Sequence, residues 1–271
     1  MTKNIKIDLS LCEEIEDRAF KKTEITKVDL PMCKKIGESS FYNCEELTTI
    51  NLPVCKKIKK FAFFNCKKLT DINLPICKKI GYGGFSETGI TKIDLPMCKK
   101  IGKFAFYRCK NLISVNLPIC KKIGKFAFYR CKNLISVNLP ICEEIEYSGF
   151  KATGIIKVDL PMCKQIGDSA FSNCENLAII NLPACEEIEL LAFAETKITK
   201  LNLPKCKKLK NFYRGYKQPL KGLKELVINE DCEFDADVFT LLPTECVIYL
   251  SLIHISEPTR QDRPSRMPSS A

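Results

Sequence analysis

The 22 residues KKIGKFAFYRCKNLISVNLPIC occupy positions 99–120 and then, without one change, positions 121–142. A fold whose elements pack on distant parts of the chain cannot absorb a second copy of one segment. A fold in which each segment touches only its neighbours can, because an inserted copy lengthens a stack and leaves every other contact in place. Counted from each LPxC cysteine, related units run 13–33, 34–55, 56–77, 78–98, 99–120, 121–142, 143–163, 164–185 and 186–206. Long units of 22 residues read KKIxxxAFxxCxxLxxINLPxC. Short units of 21 read xxIxxxxFxxTxITKVDLPMC, with Thr23, Thr88, Thr153 and Thr196 replacing the inner cysteine and one position deleted. Met1 to Cys12 supplies the second half of a further unit.

Each unit carries one L-x-x-I-x-L-P segment, as in Leu47, Ile50 and Leu52. Apolar residues two apart predict a strand with one buried face, the intervening Asn facing out and proline ending the ladder. A second apolar group, Ile58, Ala62 and Phe63, is expected to turn back across the core. Neither half buries its apolar side alone, whereas stacking identical units does, so the pattern predicts a parallel-sheet solenoid.

The string IGxxAFxxCxxLxxINLP resembles the BspA-like leucine-rich repeats over roughly residues 4–206, possession of the motif weakening toward residue 249. The resemblance implies a leucine-rich-repeat solenoid of 21–22-residue coils, mainly β, with short turns or 3-10 segments, curved into a right-handed superhelix. It also implies a recognition surface, at the cell surface or inside the cell, rather than a catalyst. On this reading residues 1–206 form a half repeat and nine full units. Residues 207–249, which keep a strand-like Leu223, Leu226 and Ile228, form a divergent terminal repeat or the start of another region. Residues 250–271, LSLIHISEPTRQDRPSRMPSSA, match nothing upstream and resemble translated sequencing-adapter DNA. They are set aside as a non-native tail, together with His254, the only histidine.

No apolar run approaches the ~20 residues of a membrane helix, and MTKNIKIDLSLCEEIEDRAF lacks a charged-then-apolar export signal. A cytoplasmic location is therefore expected, with a cell-surface adhesin as the alternative if an upstream signal and a downstream anchor belong to the protein. The 17 cysteines fit no zinc spacing, since there is no CxxC. Disulfides along the ladder are disfavoured because in-register side chains point in parallel, about 4.8 Å apart. The expectation is small buried groups filling tight corners. With no G-x-S-x-G, no Gly-rich phosphate loop and no metal cluster, no enzyme activity and no cofactor are expected.

Two columns of side chains are candidate binding surfaces. The basic stripe follows the LPxC cysteines: Lys34, Lys35, Lys56, Lys57, Lys78, Lys79, Lys99, Lys100, Lys121 and Lys122, bounded by Glu-Glu pairs. It could attract anionic membrane or nucleic acid, or be a solvated edge, since two charges ~5 Å apart in water repel by only ~0.8 kcal/mol. No aromatic residue is expected to interleave with it as a base-stacking platform, which argues against nucleic acid. On the sheet face, the residue before each LP is Asp or Asn, predicting a side-chain ladder in which amides bond each other and Lys offsets Asp. The variable column beside it is Lys27, Thr49, Asp71, Lys92, Ser114, Ser136, Lys157, Ile179 and Lys200. As the concave face of a solenoid, it is where a protein partner is expected to bind.

Overall fold

The computed structural model describes residues 9–210, 220, 222–235, 238 and 242–251; the expected half unit over residues 1–8 and the tail from residue 252, with His254, lie outside the described residues. Among the described residues there is no helix, and every paired strand is parallel to its partners. The chain is a β-solenoid of the kind the repeat predicts.

Its axis is a column of phenylalanines. Phe41, Phe63, Phe85, Phe106, Phe128, Phe150, Phe171 and Phe193 are fully buried and stack ring on ring at 5.0–5.9 Å, with interplanar angles of 3–16°. Leu47, Ile50 and Leu52 and their equivalents close one side of this spine, and the Ile of each K-I or E-I pair closes the other. Such burial stabilises by about 25 cal/mol per Å² of apolar surface, but only when coils are adjacent, because each ring is sandwiched by those of its neighbours.

The expected single strand per coil is one of two. The residue pair after each LPx-Cys-Lys or LPx-Cys-Glu also forms a strand, from Glu14–Ile15 through Lys57–Ile58 to Glu233–Phe234, and these pair into one unbroken ladder of 11 strands. Ile58, expected in a returning turn, therefore hydrogen-bonds in a second sheet. Two residues between turns show no periodicity, so the pattern could not reveal it.

The strands of the L-x-x-I-x-L-P segment, three residues long up to Ile179–Asn181 and four or five after it, behave differently. They pair as Lys27–Asp29, Thr49–Asn51 and Asp71–Asn73; then Lys92–Asp94, Ser114–Asn116 and Ser136–Asn138; then Lys157–Asp159 and Ile179–Asn181; then Lys200–Leu203, Glu225–Asn229 and Val247–Ser251. Each group begins in a short unit, so the sheet is interrupted by three seams, each immediately before a short unit. The residue a short unit lacks lies in the turn just ahead of its strand. In two of these turns a glycine presses on the preceding coil: a Cβ on Gly89 would sit 2.3 Å from the Lys67 carbonyl oxygen, and one on Gly154 2.5 Å from that of Lys132. The shortened turn brings the chain into its strand out of register with the strand before. Within a group, Ile113 N–H donates to Thr91 O and Ile135 N–H to Ile113 O; no equivalent bond joins Thr91 to Thr70 or Ile156 to Ile135. The last group takes in Leu250 and Ser251, which pair with Ile228 and Asn229.

Candidate recognition surfaces

On the sheet face the Asn/Asp column forms a hydrogen-bonded ladder. Asn51 Nδ2 donates to Asp29 Oδ1 at 3.0 Å and Asn73 Nδ2 to Asn51 Oδ1 at 3.1 Å. Asn116, Asn138 and Asn181 repeat this onto Asp94, Asn116 and Asp159. The first three groups start with Asp, which only accepts, so their ladders start and stop with the groups; the fourth starts with Asn202. The expected Lys–Asp offset is not what satisfies these carboxylates: the amide of the next coil does. In the neighbouring variable column, Lys27, Asp71, Lys92, Ser136, Lys157, Ile179 and Lys200 are exposed, and Thr49 and Ser114 half-buried. The register sets Lys27 beside Thr49 and Asp71, Lys92 beside Ser114 and Ser136, and Lys157 beside Ile179. Lys200 pairs with Glu225 at 2.6 Å.

The sequence reading missed Ile113, Ile135 and Ile156, which adjoin this column and are 42, 47 and 52 % exposed; Ile179 of the column itself is 55 % exposed. Ile135 bonds to Ile113, Ile156 O accepts from Ala178 and Ile179, and Ile135 and Ile156 face each other across the second seam. There they line, with Ser136, Val137, Lys157 and Asp159, a cavity of about 330 Å³. The seam also leaves Val137 half-buried, whereas its counterparts Ile50, Ile93 and Val115 are buried. The signal was present as the I of NLISV, which falls on an unassigned position of the L-x-x-I-x-L-P pattern.

The basic stripe is shorter than its sequence. Lys34 pairs with Glu13 at 2.9 Å and Lys35 with Glu14; Lys121 pairs with Glu143 at 2.7 Å, and Lys122 bridges Glu144 and Glu146 at 2.7 Å each. Among the described residues Lys56, Lys57, Lys78, Lys79, Lys99 and Lys100 have no ion-pair partner within 4.0 Å. All six are exposed.

Aromatic rings meet lysines outside the stripe, at Lys60 and Lys103. An outer ladder runs through Phe61, Tyr82, Phe104, Phe126 and Tyr147 at 4.8–5.3 Å, with Lys60 over Phe61 and Lys103 over Tyr82 and Phe104. Phe104 and Phe126 stack on each other, and the lysines cap other faces. Ring faces already covered are not offered to bases. Phe61, Phe104 and Phe126 hold φ of 53–58°, a conformation that residue identity does not announce.

All 17 cysteines are free thiols, and their corners are polar as well as tight. The LPxC thiols donate to the carbonyl two residues on, as Cys33 to Lys35 O at 3.2 Å. The inner ones donate to the core phenylalanine carbonyl of the preceding coil, as Cys66 to Phe41 O at 3.0 Å. Burial pushes the Cys55, Cys77, Cys98, Cys142 and Cys185 thiols up to about 12 and Cys174 to about 11, so they are poor nucleophiles. Among the described residues no group of three or more His, Cys, Asp or Glu is placed to hold a metal ion, and no helix is long and apolar enough to cross a membrane.

Parallel coils of 21–22 residues, an L-x-x-I-x-L strand in each and a stacked apolar spine define a leucine-rich-repeat solenoid. The family model for the BspA type leucine rich repeat region (6 copies) matches residues 13–119 and 99–216, and the chain belongs to that family. No curated protein matches it. Among solved structures it is similar to a leucine-rich repeat protein from Bacteroides ovatus ATCC 8483, at 19% identity over 94% of this chain and 83% of that one, with a TM-score of 0.47. A leucine rich cell surface protein from Faecalibacterium prausnitzii A2-165 matches at 17% identity over 88% and 82%, with a TM-score of 0.46. The T. pallidum leucine rich repeat protein matches at 23% identity over 67% and 80%, with a TM-score of 0.48.

Proposed function

We propose that the chain is a non-enzymatic recognition scaffold that binds a protein partner through its sheet face. The observation that carries this is the row of exposed Ile113, Ile135 and Ile156 beside the variable column with its exposed Ile179; Ile135 and Ile156 line the seam cavity. A connected apolar patch rimmed by polar side chains is the usual composition of a protein-binding surface. A cleft at its centre is where a buried anchor side chain contributes most. A cytoplasmic location is the companion proposal, supported by thiols that are buried and hydrogen-bonded as thiols; alkylation mass spectrometry of the native protein that found extensive disulfides would refute it.

The test places a photo-crosslinker at Ser136 and, as control, at Lys78, in extract of the native cell. Proteins joined at Ser136, absent at Lys78 and lost in an Ile135→Asp, Ile156→Asp variant are the expected result. The same proteins in the same yield at both positions would refute the sheet-face reading.

A further inference from the structure

A second surface lies at the turn ahead of the strands, on the opposite side of the inner Cys/Thr column from the core. Turns from six consecutive coils, 56–77 to 164–185, line one open groove of about 990 Å³. Its charged lining is Lys67, Arg108, Lys110, Arg130, Lys132 and Lys151 against Glu87 and Glu175. Lys67 is taken up by Glu45 at 3.2 Å, and Arg108 approaches Glu87 at 3.9 Å. Among the described residues Lys110, Arg130, Lys132 and Lys151 have no ion-pair partner, and they come from three adjacent coils at the middle of the groove. The two carboxylates lie toward its ends.

The turns along the groove are left-handed, as are the corresponding turns of the short units at Lys22, Glu87, Ala152 and Glu195. The residue before the inner Cys is left-handed in every long unit. It is Asn43, Asn65 and Asn173 in three of them, with φ of 58–59°, and Asn is among the side chains that tolerate this region best. In the two middle long units it is Arg108 and Arg130, at 57° and 59°, where a long side chain costs about 1 kcal/mol or more. The fold does not need arginine there, as the other long units show.

We infer that this groove binds a short acidic segment of a partner protein in extended conformation. With coils ~4.8 Å apart, the six coils span ~24 Å, about seven residues of extended chain at ~3.3 Å each. Asn111, Asn173 and Asn176 along the lining can donate to a peptide backbone, and Asn65, whose amide N–H groups are taken by Asn43 and Glu45, can accept from it. A uniform polyanion would run its charge over Glu87 and Glu175, whereas a peptide with carboxylates only at its centre does not. The one lining ring, Tyr129, is covered by Tyr107 and Arg130, leaving no platform for a base. The site is separate from the sheet face and does not depend on it.

The test is fluorescence anisotropy of a labelled Ser-Ser-Glu-Glu-Glu-Ser-Ser peptide with the full chain, at low salt and at about 0.3 M, where charge attraction is screened within ~6 Å. Arg130→Asn with Lys132→Gln should weaken binding roughly tenfold or more. The protein should stay folded, with an undiminished melting temperature, because Asn already holds this turn in other coils. Lys57→Gln with Lys79→Gln on the stripe should leave binding within about twofold, and so should Ile135→Asp with Ile156→Asp on the sheet face, which separates this site from the protein-binding reading above. Absence of binding to the unaltered chain would overturn the proposal. So would equal losses from the stripe and groove variants, which would mean only a diffuse field. A single-stranded seven-nucleotide DNA or dextran sulfate binding more tightly than the peptide, and losing that binding in the groove variant, would assign the groove to another class of ligand and overturn it as well.

Discussion

Thr88 and Cys109 face each other across the junction of a short coil and the long coil after it, Oγ1 to Sγ 3.2 Å apart, and share one acceptor. Thr88 Oγ1 donates to Phe85 O at 2.9 Å and Cys109 Sγ to the same oxygen at 3.0 Å. The alternation of Thr and Cys along the chain is thus the alternation of two donors to the backbone of the phenylalanine spine. Thr88→Val should cost about 1–2 kcal/mol, and Cys109→Ala about 1–3 kcal/mol once its small cavity is included. Because one oxygen serves both, either donor alone still satisfies it, and the double variant, which orphans the carbonyl, should cost more than the two together. Denaturant unfolding of the four proteins measures this; strict additivity would mean the shared carbonyl is of no consequence.

The buried thiols set an alkaline limit. The native state holds the Cys55, Cys77, Cys98, Cys142 and Cys185 protons to about 12 and that of Cys174 to about 11, above an unfolded value near 8.5–9. Folded pKa values that are raised give stability that is intact below pH ~9 and lost as pH climbs toward 12. Each thiol removes up to about 1.4 kcal/mol per pH unit in that window. Six together reach on the order of 8 kcal/mol per unit, comparable to the whole stability of a domain. The melting temperature should hold to about pH 8.5 and collapse by about pH 10, with thiolate absorbance rising only as the chain unfolds. Thiolates forming at pH 9 in a chain that stays folded would contradict the burial described.

The two aromatic columns should differ sharply in worth. Phe106 is fully buried between Phe85 and Phe128, so Phe106→Ala should cost about 3–5 kcal/mol. Phe104, two residues away and half-buried in the outer ladder, should cost well under half of that when changed to Ala. Equal losses in thermal unfolding would show that the outer ladder is part of the core.

Ala152 has a φ of 58° at the left-handed turn of a short coil. Ala152→Gly removes a Cβ penalty of about 1–2 kcal/mol and adds an unfolded-chain entropy cost of about 0.5–1 kcal/mol. A net gain of up to about 1 kcal/mol is expected, read as a small rise in melting temperature. A fall of that size would show that the Ala152 methyl makes a packing contact that outweighs the strain.

The strand at Leu47, Ile50 and Leu52, the outward Asn51 and the stacking of units were legible because period-two burial and fixed-length repetition leave direct marks in a sequence. The ladder through Lys57–Ile58 was not, since two residues carry no period. The seams were foreshadowed by the missing residue in short units, but what that deletion does is geometric: it shifts where Lys92 and Lys157 enter their strands. Ile113, Ile135 and Ile156 were not singled out, because they fall on an unassigned position of the L-x-x-I-x-L-P pattern and identity alone does not tell an inward isoleucine from one beside a seam. The groove escaped because Arg108 and Lys110 come near Lys67 and Lys151 only when coils stack, and because their turns are left-handed without glycine.

Deleting residues 121–142 tests nearest-neighbour stacking most directly. The excised coil is bounded by identical sequence, and Lys99 and Lys100 would meet Glu143 and Glu144 as Lys121 and Lys122 do now. The expected result is a chain with an unchanged β-type circular dichroism spectrum, one cooperative melt, and a length in small-angle scattering shorter by one coil, ~4.8 Å. A chain that aggregates or loses cooperative unfolding would contradict the claim that each coil depends only on those beside it.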